Sequence, residues 1–343
     1  MRILIAESER HAQLWEDFVA RTAGCGHYHR WGWKRVIENS FGWPTFYMMG
    51  LEGDLVKAIL PLVWQKSRLF GSFLTSLPFL NGGGGVGEDN HAAEALTQEA
   101  IALTQRLGAN YLELRHRRPS DLGLPVKTNK VAVVHEVTPD EEKAWQSLPH
   151  KVRTDIRKCM KSELTAEFRG EEALDTFHEI FAENMRNLGT PAYGRNFFLQ
   201  MLRIFPADTH ICIVRHQGKP VAGSFLTGFR DTLEAGWSSS RYEYLAIKPN
   251  MFLYWKILRF AGERGYRTFD FGRSTVGSGT HRFKMQWGSK EIQLYWTYWL
   301  PSGSSLPELN PQNPRYRLAI WLWKRLPLAF TKLVGPRIVR CLP

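Results

Sequence analysis

The chain has 343 residues, of which 43% are hydrophobic and 13% aromatic, enough for two domains of ordinary size and too apolar for wholesale disorder. Forty-five lysines and arginines against 33 acids give a formal charge of +12, so the expected partners are anionic: phosphates, nucleic acid or a membrane surface. The four cysteines (Cys25, Cys159, Cys212, Cys341) form neither a CxxC nor a zinc spacing, no apolar run reaches the ~18 residues of a spanning helix, and MRILIAESER turns charged too early for a signal-peptide core. A reduced, cytoplasmic setting is expected.

Taken in chain order, Arg2–Ala6 reads as a strand, with helices at Ser8–Thr22 and Trp31–Phe41. Strands at Thr45–Gly50 and Leu55–Trp64 are joined by the turn Glu52-Gly53-Asp54. A strand at Ser72–Leu80 leads into Asn81-Gly82-Gly83-Gly84-Gly85-Val86-Gly87. A helix from His91 to Leu107 stops at Gly108, and a strand at Tyr111–Arg115 follows. The rhythm then repeats. A basic helix is expected over Glu141–Lys161, with helices at Glu172–Leu188 and Arg195–Phe205. Strands at His210–Arg215, Pro220–Phe229 and Thr232–Ser240 precede a helix at Met251–Arg264, then strands at Thr268–Phe271 and Ile292–Trp299.

Each half therefore reads as helices, an antiparallel meander, one helix and a further strand, the order of a duplicated α+β unit rather than of a Rossmann sheet. The expected division is 1–140, 141–301, and a tail over 302–343. In the tail, a Ser/Pro/Asn-rich linker precedes a stretch with Arg315, Arg317, Lys324, Arg325, Lys332, Arg337 and Arg340 and no acid. Such a stretch is either a helix packed on the body or an amphipathic helix on an anionic membrane face, kinked at Pro327.

The densest chemistry lies in FDFGRSTVGSGTHRFKMQWG, Phe269 to Gly288. Asp-Phe-Gly here lacks the companion motifs of a kinase. Asp270 ends a strand beside a loop, the glycines allow close backbone approach to a ligand, and Arg273 and Lys284 add positive charge. That set suits a phosphate or a developing oxyanion; read for structure alone, it is a surface loop whose Phe283 and Trp287 cap a core. Gly82–Gly87 stands between a strand and a helix, where an anion would meet helix amides, or else is a plain hairpin loop. The matching place in the second half, Arg241–Asn250, has no glycine. Arg153 and Arg157, with Lys158 beside them, share one helix side and could hold a phosphate, or form a solvated basic face.

Phe269–Gly288, with Ser67–Leu74 and Ser76-Leu77-Pro78-Phe79, resembles the FemAB-like proteins, and within them the branch associated with exosortase/PEP-CTERM and exopolysaccharide loci. Asn184, Leu188-Gly189-Thr190-Pro191, Asn196-Phe197-Phe198, Asn250 and Phe283-Lys284 extend the resemblance, which covers Trp31 to Leu300. It implies two tandem GNAT-like domains and transfer of an acyl or aminoacyl group to an amine of a phosphate-bearing envelope precursor. Lys284 would stabilise charge at the reacting centre and Asp270 would orient or deprotonate the amine. Arg273, Ser274, Phe283, Arg157, Lys158, Asn184, Thr190, Gly83 and Gly84 would line the substrate site. No resident cofactor or metal is implied; the co-substrate is an aminoacyl-tRNA or, alternatively, a coenzyme A or acyl-carrier-protein thioester acting on a nucleotide sugar. A non-catalytic scaffold is the remaining alternative. The coiled-coil arm that some members use on tRNA has no counterpart here. The basic tail would hold the enzyme on the inner face of the membrane.

Overall fold

A computed structural model of the chain describes residues 1–67, 70–119, 122–307 and 314–342. Arg68 and Leu69 of the family-like stretch, positions 308–313 of the expected linker and the side chain of Arg315 lie outside the described residues.

The chain forms two compact units. The first comprises Met1–Lys130, Gln293–Leu309 and Arg340–Pro343. It holds β1 (Arg2–Ile5), α1 (Glu9–Arg21), α2 (Gly32–Phe41), β2 (Thr45–Glu52), β3 (Leu55–Ser67), β4 (Gly71–Thr75), β5 (Val86–Gly87), α3 (Asn90–Arg106), β6 (Tyr111–His116) and β7 (Val126–Lys127). α1 starts where Ser8 Oγ accepts from the His11 amide and the His11 ring reaches back to the Ser8 amide, a reciprocal cap. The β2–β3 turn forms as the Gly-Asp signal predicts, with Gly53 at φ 60°.

The second unit comprises Val131–Ile292 and Asn310–Val339. Its elements are β8 (Lys130–Glu136), α4 (Glu141–Ser147), α5 (His150–Met160), β9 (Leu164–Arg169), α6 (Leu174–Leu188), α7 (Arg195–Ile204), β10 (Thr209–His216), β11 (Lys219–Phe229), β12 (Thr232–Ser240), α8 (Pro249–Glu263), β13 (Thr268–Thr275), α9 (Gly279–Met285) and β14 (Lys290–Gln293). β15 (Tyr295–Trp299) returns to the first unit; α10 (Pro314–Trp323) and α11 (Leu328–Val339) belong to the second.

The first sheet runs β1-β2-β3-β4-β6-β15-β7, with β5 on β3; the second runs β14-β8-β13-β12-β11-β10-β9. β4 pairs with β6 and β12 with β13 in parallel, and each of these pairings follows a crossover through one helix, α3 or α8. α8 buries Phe252, Leu253, Trp255, Ile257 and Leu258 against β10–β13, α5 and Trp287, the core of the second unit. The corresponding core of the first joins α3 to β2, β3, β4 and β6.

The sequence reading departs from this in several places, and β8 and β9 have no counterpart in it. Pro149 divides the helix expected at 141–161 into α4 and α5, because it cannot donate to the helical ladder. The strand expected at Ser72–Leu80 stops at Thr75, after which Leu77 and Phe79 take left-handed φ values of 54° and 71°. The loop expected after Phe271 is shorter: β13 runs on to Thr275, and α9 starts at Gly279, capped by Ser278 Oγ on the His281 amide. The single strand over 292–299 is two strands in two sheets. The compact units also divide differently from 1–140, 141–301 and 302–343: β8 lies in the second sheet, β15 pairs with β6 and β7 in the first, and α10 and α11 join the second unit.

Candidate active site

β12 and β13 share a short parallel ladder, Thr232 with Thr268, Leu233 with Phe269 and Glu234 with Asp270. Past that point β12 continues to Ser240 along β11 after a bulge: Leu226 faces Ala235 while Phe225 faces Trp237, leaving Gly236 as the extra residue. A bulge adds local twist and turns the strand away from its neighbour. A Cβ placed at Gly236 meets nothing within 4 Å, so the backbone here borders open space. Where the ladder ends stand two acids, Glu234 and Asp270, both buried.

α9 carries the cation to the same place. Its first turn is fixed by the Ser278 cap and by a 2.8 Å contact between His281 Nε2 and Glu291 Oε1; Trp287, fully buried, anchors its far end. Lys284 is 9% exposed, and its Nζ donates to the Gly272 and Arg273 carbonyls, each at 2.9 Å. Burial pushes the Lys284 ammonium down to about 8; Asp270 and then Glu234 oppose the shift, while Arg273 adds to it. An ammonium has three donors. Among the described residues two are spent on β13, which leaves one N–H for another acceptor. Asp270, 0% exposed, accepts from the Gly272 amide at 2.8 Å through Oδ1. It therefore fixes the bend of β13 at Gly272 and sets the field around Lys284, and its burial gives it little reach toward a substrate amine.

Of the other predicted residues, the structure brings some to this end of the sheet. Ser274, further along β13, is buried, and its Oγ has no hydrogen-bond partner among the described residues. Asn184 of α6 donates to Ser239 Oγ of β12 at 3.1 Å. Arg273 is half-buried beside Lys284. Phe283 packs on Tyr254, ring centroids 5.5 Å apart, and belongs to the core. Thr190 is exposed and serves the end of α6, its amide donating to Met185 O after Gly189 turns left-handed at φ 81°. Arg157 and Lys158 are exposed on α5; Arg157 lies over the Trp145 ring at 5.2 Å, and among the described contacts neither touches Lys284, Asp270 or Glu234. Sequence reasoning missed Glu234 and the serines that follow it on β12. The signal was present: an acid inside the strand pattern TLEAGWSSS, where burial demands a partner.

Gly83 and Gly84 are buried in the first unit, and the Gly84 carbonyl lies 2.9 Å from His29 Nε2. The Gly84 amide donates to Arg115 O at 2.9 Å, and a Cβ on Gly84 would come within 2.4 Å of the His116 ring, so this glycine admits close packing. α3 starts later, at Asn90, and is capped by the carboxylate of Asp89, which disfavours an anion there. The first unit has its own short parallel ladder, Phe73–Thr75 with Tyr111–Glu113, and it too ends on an acid. Glu113 is sealed: Oε1 accepts from Arg115 at 2.7 Å, Oε2 accepts from Tyr298 Oη at 2.7 Å, and Trp296 covers the Arg115 guanidinium at 4.3 Å. The glycine run thus builds a closed interior.

Two α+β units, each with a meander, a crossover helix and a short parallel ladder, give this chain a tandem GNAT fold. Residues 150–285 match the acetyltransferase (GNAT) domain family. Among solved structures, the chain is similar to FemX, at 14% identity and a TM-score of 0.66 over 86% of this chain and 97% of that one. It is similar to the C-terminal domain (DUF2156) of a lysylphosphatidylglycerol synthetase, so titled as putative, from Agrobacterium fabrum, at 13% identity and a TM-score of 0.57 over 84% and 91%. It is also similar to a tandem GNAT protein from the clavulanic acid biosynthesis pathway, at 11% identity and a TM-score of 0.54 over 89% and 98%. No curated protein matches the sequence.

The segment between β12 and α8, residues 241–248, contains no glycine. Tyr242–Ile247 form a 3₁₀ helix without glycine. The Tyr244, Lys248 and Met251 amides donate to Arg241 O, Leu245 O and Lys248 O, so they do not form a nest for an anion. Arg241 stands 3.4 Å from Glu183.

Proposed function

We propose that the protein is a FemAB-like N-acyl or aminoacyl transferase. Its acceptor is an amine on an anionic, phosphate-bearing precursor of the cell envelope or of an exopolysaccharide, and its donor is an aminoacyl-tRNA. The observation that carries this reading is Lys284, held by two carbonyls at the parting of β12 and β13 with one N–H uncommitted. The acceptor amine attacks the ester carbonyl, a C–N bond forms, and the carbonyl oxygen takes the negative charge. The third N–H of Lys284 donates to that oxyanion, a bond stronger in the transition state than in the ground state. As the tetrahedral species collapses, the ester C–O bond breaks and the amine's proton passes to the departing hydroxyl. Aminolysis of an activated ester needs little base, so Glu234 and Asp270 act by keeping Lys284 charged within its apolar surroundings. Ser274, Arg273, Asn184 and Ser239 line the acceptor's approach.

The donor reading rests on the glycine-free 3₁₀ segment, together with the likeness to FemX and to the lysylphosphatidylglycerol synthetase domain. The test is transfer of radiolabelled amino acids from a charged total-tRNA pool to amino-sugar nucleotides and lipid-linked precursors, run beside acetyl-coenzyme A. Wild type should transfer from tRNA, and Lys284→Ala should lower the rate by about 10²–10³. A Lys284→Ala rate within a few-fold of wild type refutes the role of the lysine. Turnover of the thioester with the tRNA inert refutes the donor, and turnover of neither supports a scaffold instead.

A further inference from the structure

We propose that α10 and α11 form a docking surface for an anionic phospholipid bilayer. On α10, Leu318, Trp321 and Leu322 are 66%, 50% and 50% exposed, and on α11 Phe330 and Leu333 are 47% and 64% exposed. Single exposed apolar residues are ordinary; these five fall into two stripes. Trp321 and Leu322 stand three and four residues after Leu318, and Leu333 stands three after Phe330, so each set shares one helix face. Each stripe ends one turn later on an arginine, Arg325 and Arg337. The Arg325 guanidinium lies 3.6 Å over the Trp321 ring and donates to the Trp321 carbonyl at 3.1 Å, which joins the apolar stripe to its charge.

The faces that pack on the second unit lie opposite these stripes. On α10 they are Ile320, whose side chain lies over Gly189 so closely that a Cβ there would meet it at 2.5 Å, and Trp323, which is buried. On α11 they are Thr331, Gly335 and Val339, with Gly335 close enough to Ala192 that a Cβ would fall 3.2 Å from its amide nitrogen. At 100° per residue, the centre of each exposed stripe lies more than about 140° around its helix from the buried face, so both stripes point outward.

Charge selects the occupant. Positions 314–343 contain no Asp or Glu, and Arg317, Arg325 and Arg337 flank the stripes. A second copy seated face to face would bring these cations against their own kind. A bilayer with anionic headgroups takes the apolar side chains at the acyl boundary and the cations at the phosphates, with tryptophan at the level between. No helix among the described residues is long and apolar enough to cross a membrane, so the helices would lie on its surface.

The test is sedimentation of the whole chain with sucrose-loaded vesicles of phosphatidylcholine alone, and with about 30% phosphatidylglycerol added, at low and high salt. The expected result is at least about tenfold stronger partition onto the anionic vesicles, most of it lost at high salt. Leu318→Ser/Trp321→Ser/Leu333→Ser should weaken binding about tenfold with the unfolding midpoint unchanged, since all three are exposed. Arg317→Glu/Arg325→Glu should abolish the preference for anionic lipid. Equal binding to both vesicles, binding that survives the triple substitution, or self-association in sedimentation velocity that the triple substitution abolishes without vesicle binding would each overturn the proposal.

Discussion

If Lys284 plays the proposed role, the protein's stability and its chemistry depend on the same proton. Its ordinary value is 10.5, and burial brings it to about 8 in the folded chain. Between those values the unfolded chain holds the proton and the folded chain does not, so raising the pH favours folding. The ammonium's burial cost is fully present below about pH 8 and is relieved as pH climbs toward 10.5, a difference on the order of 3 kcal/mol. Urea unfolding of wild type and Lys284→Met from neutral to alkaline pH should show a rise in wild type that the variant lacks. Parallel slopes would show that the lysine is not the group involved. The proposed transfer runs in the opposite direction. The neutral amine has two N–H groups, both required by Gly272 O and Arg273 O, so the donor for the oxyanion vanishes on deprotonation. Transfer should therefore fall as pH rises through about 8, and a rate that rises over the same range would make Lys284 a base.

At the scale of elements, the same device appears twice with opposite outcomes. β4–β6 and β12–β13 each pair for three residues and end on an acid, Glu113 or Asp270. Beside Asp270 the cation comes from α9, and one of its N–H groups stays available. Beside Glu113 the cation is Arg115, two residues along the same strand, with its guanidinium donating to Glu113 and to Leu80 O under Trp296. Tyr298 of β15 supplies the last donor. This arrangement is structural: a buried acid paired, hydrogen-bonded and covered. Tyr298→Phe leaves Glu113 Oε2 without its donor and should cost about 1–3 kcal/mol in chemical denaturation. Arg115→Met leaves the buried carboxylate unpaired and should cost about 3–5 kcal/mol. A Tyr298→Phe variant as stable as wild type would mean that water or another group already satisfies Glu113.

Across the whole molecule, the features legible in the sequence were those written in local pattern. The meanders at 45–67 and 209–240, their turns and the crossover helices carry period-two and period-3.6 signals, and their repeated order suggested the tandem fold. Lys284 and Asp270 were visible because polar residues crowd a short aromatic stretch. Glu234 was hidden because its meaning depends on register with Asp270, which only the parallel ladder supplies. β8 and β15 escaped for the same reason, since nothing local in KVAVVHE or YWTYW says which sheet each joins. That long-range choice has a consequence for any attempt to divide the chain. A fragment of residues 1–140 lacks β15, so it loses the strand between β6 and β7, the Tyr298 bond to Glu113 and the Trp296 cover on Arg115. It also keeps β8, whose sheet partners β13 and β14 lie outside it. An unpaired central edge over a buried charge is a poor end for a sheet. The 1–140 fragment should therefore show no cooperative thermal transition and should bind a hydrophobic dye, and adding a peptide of residues 293–307 should restore the transition. A fragment that melts cooperatively without the peptide would show that the first unit closes by some pairing other than β6 with β15.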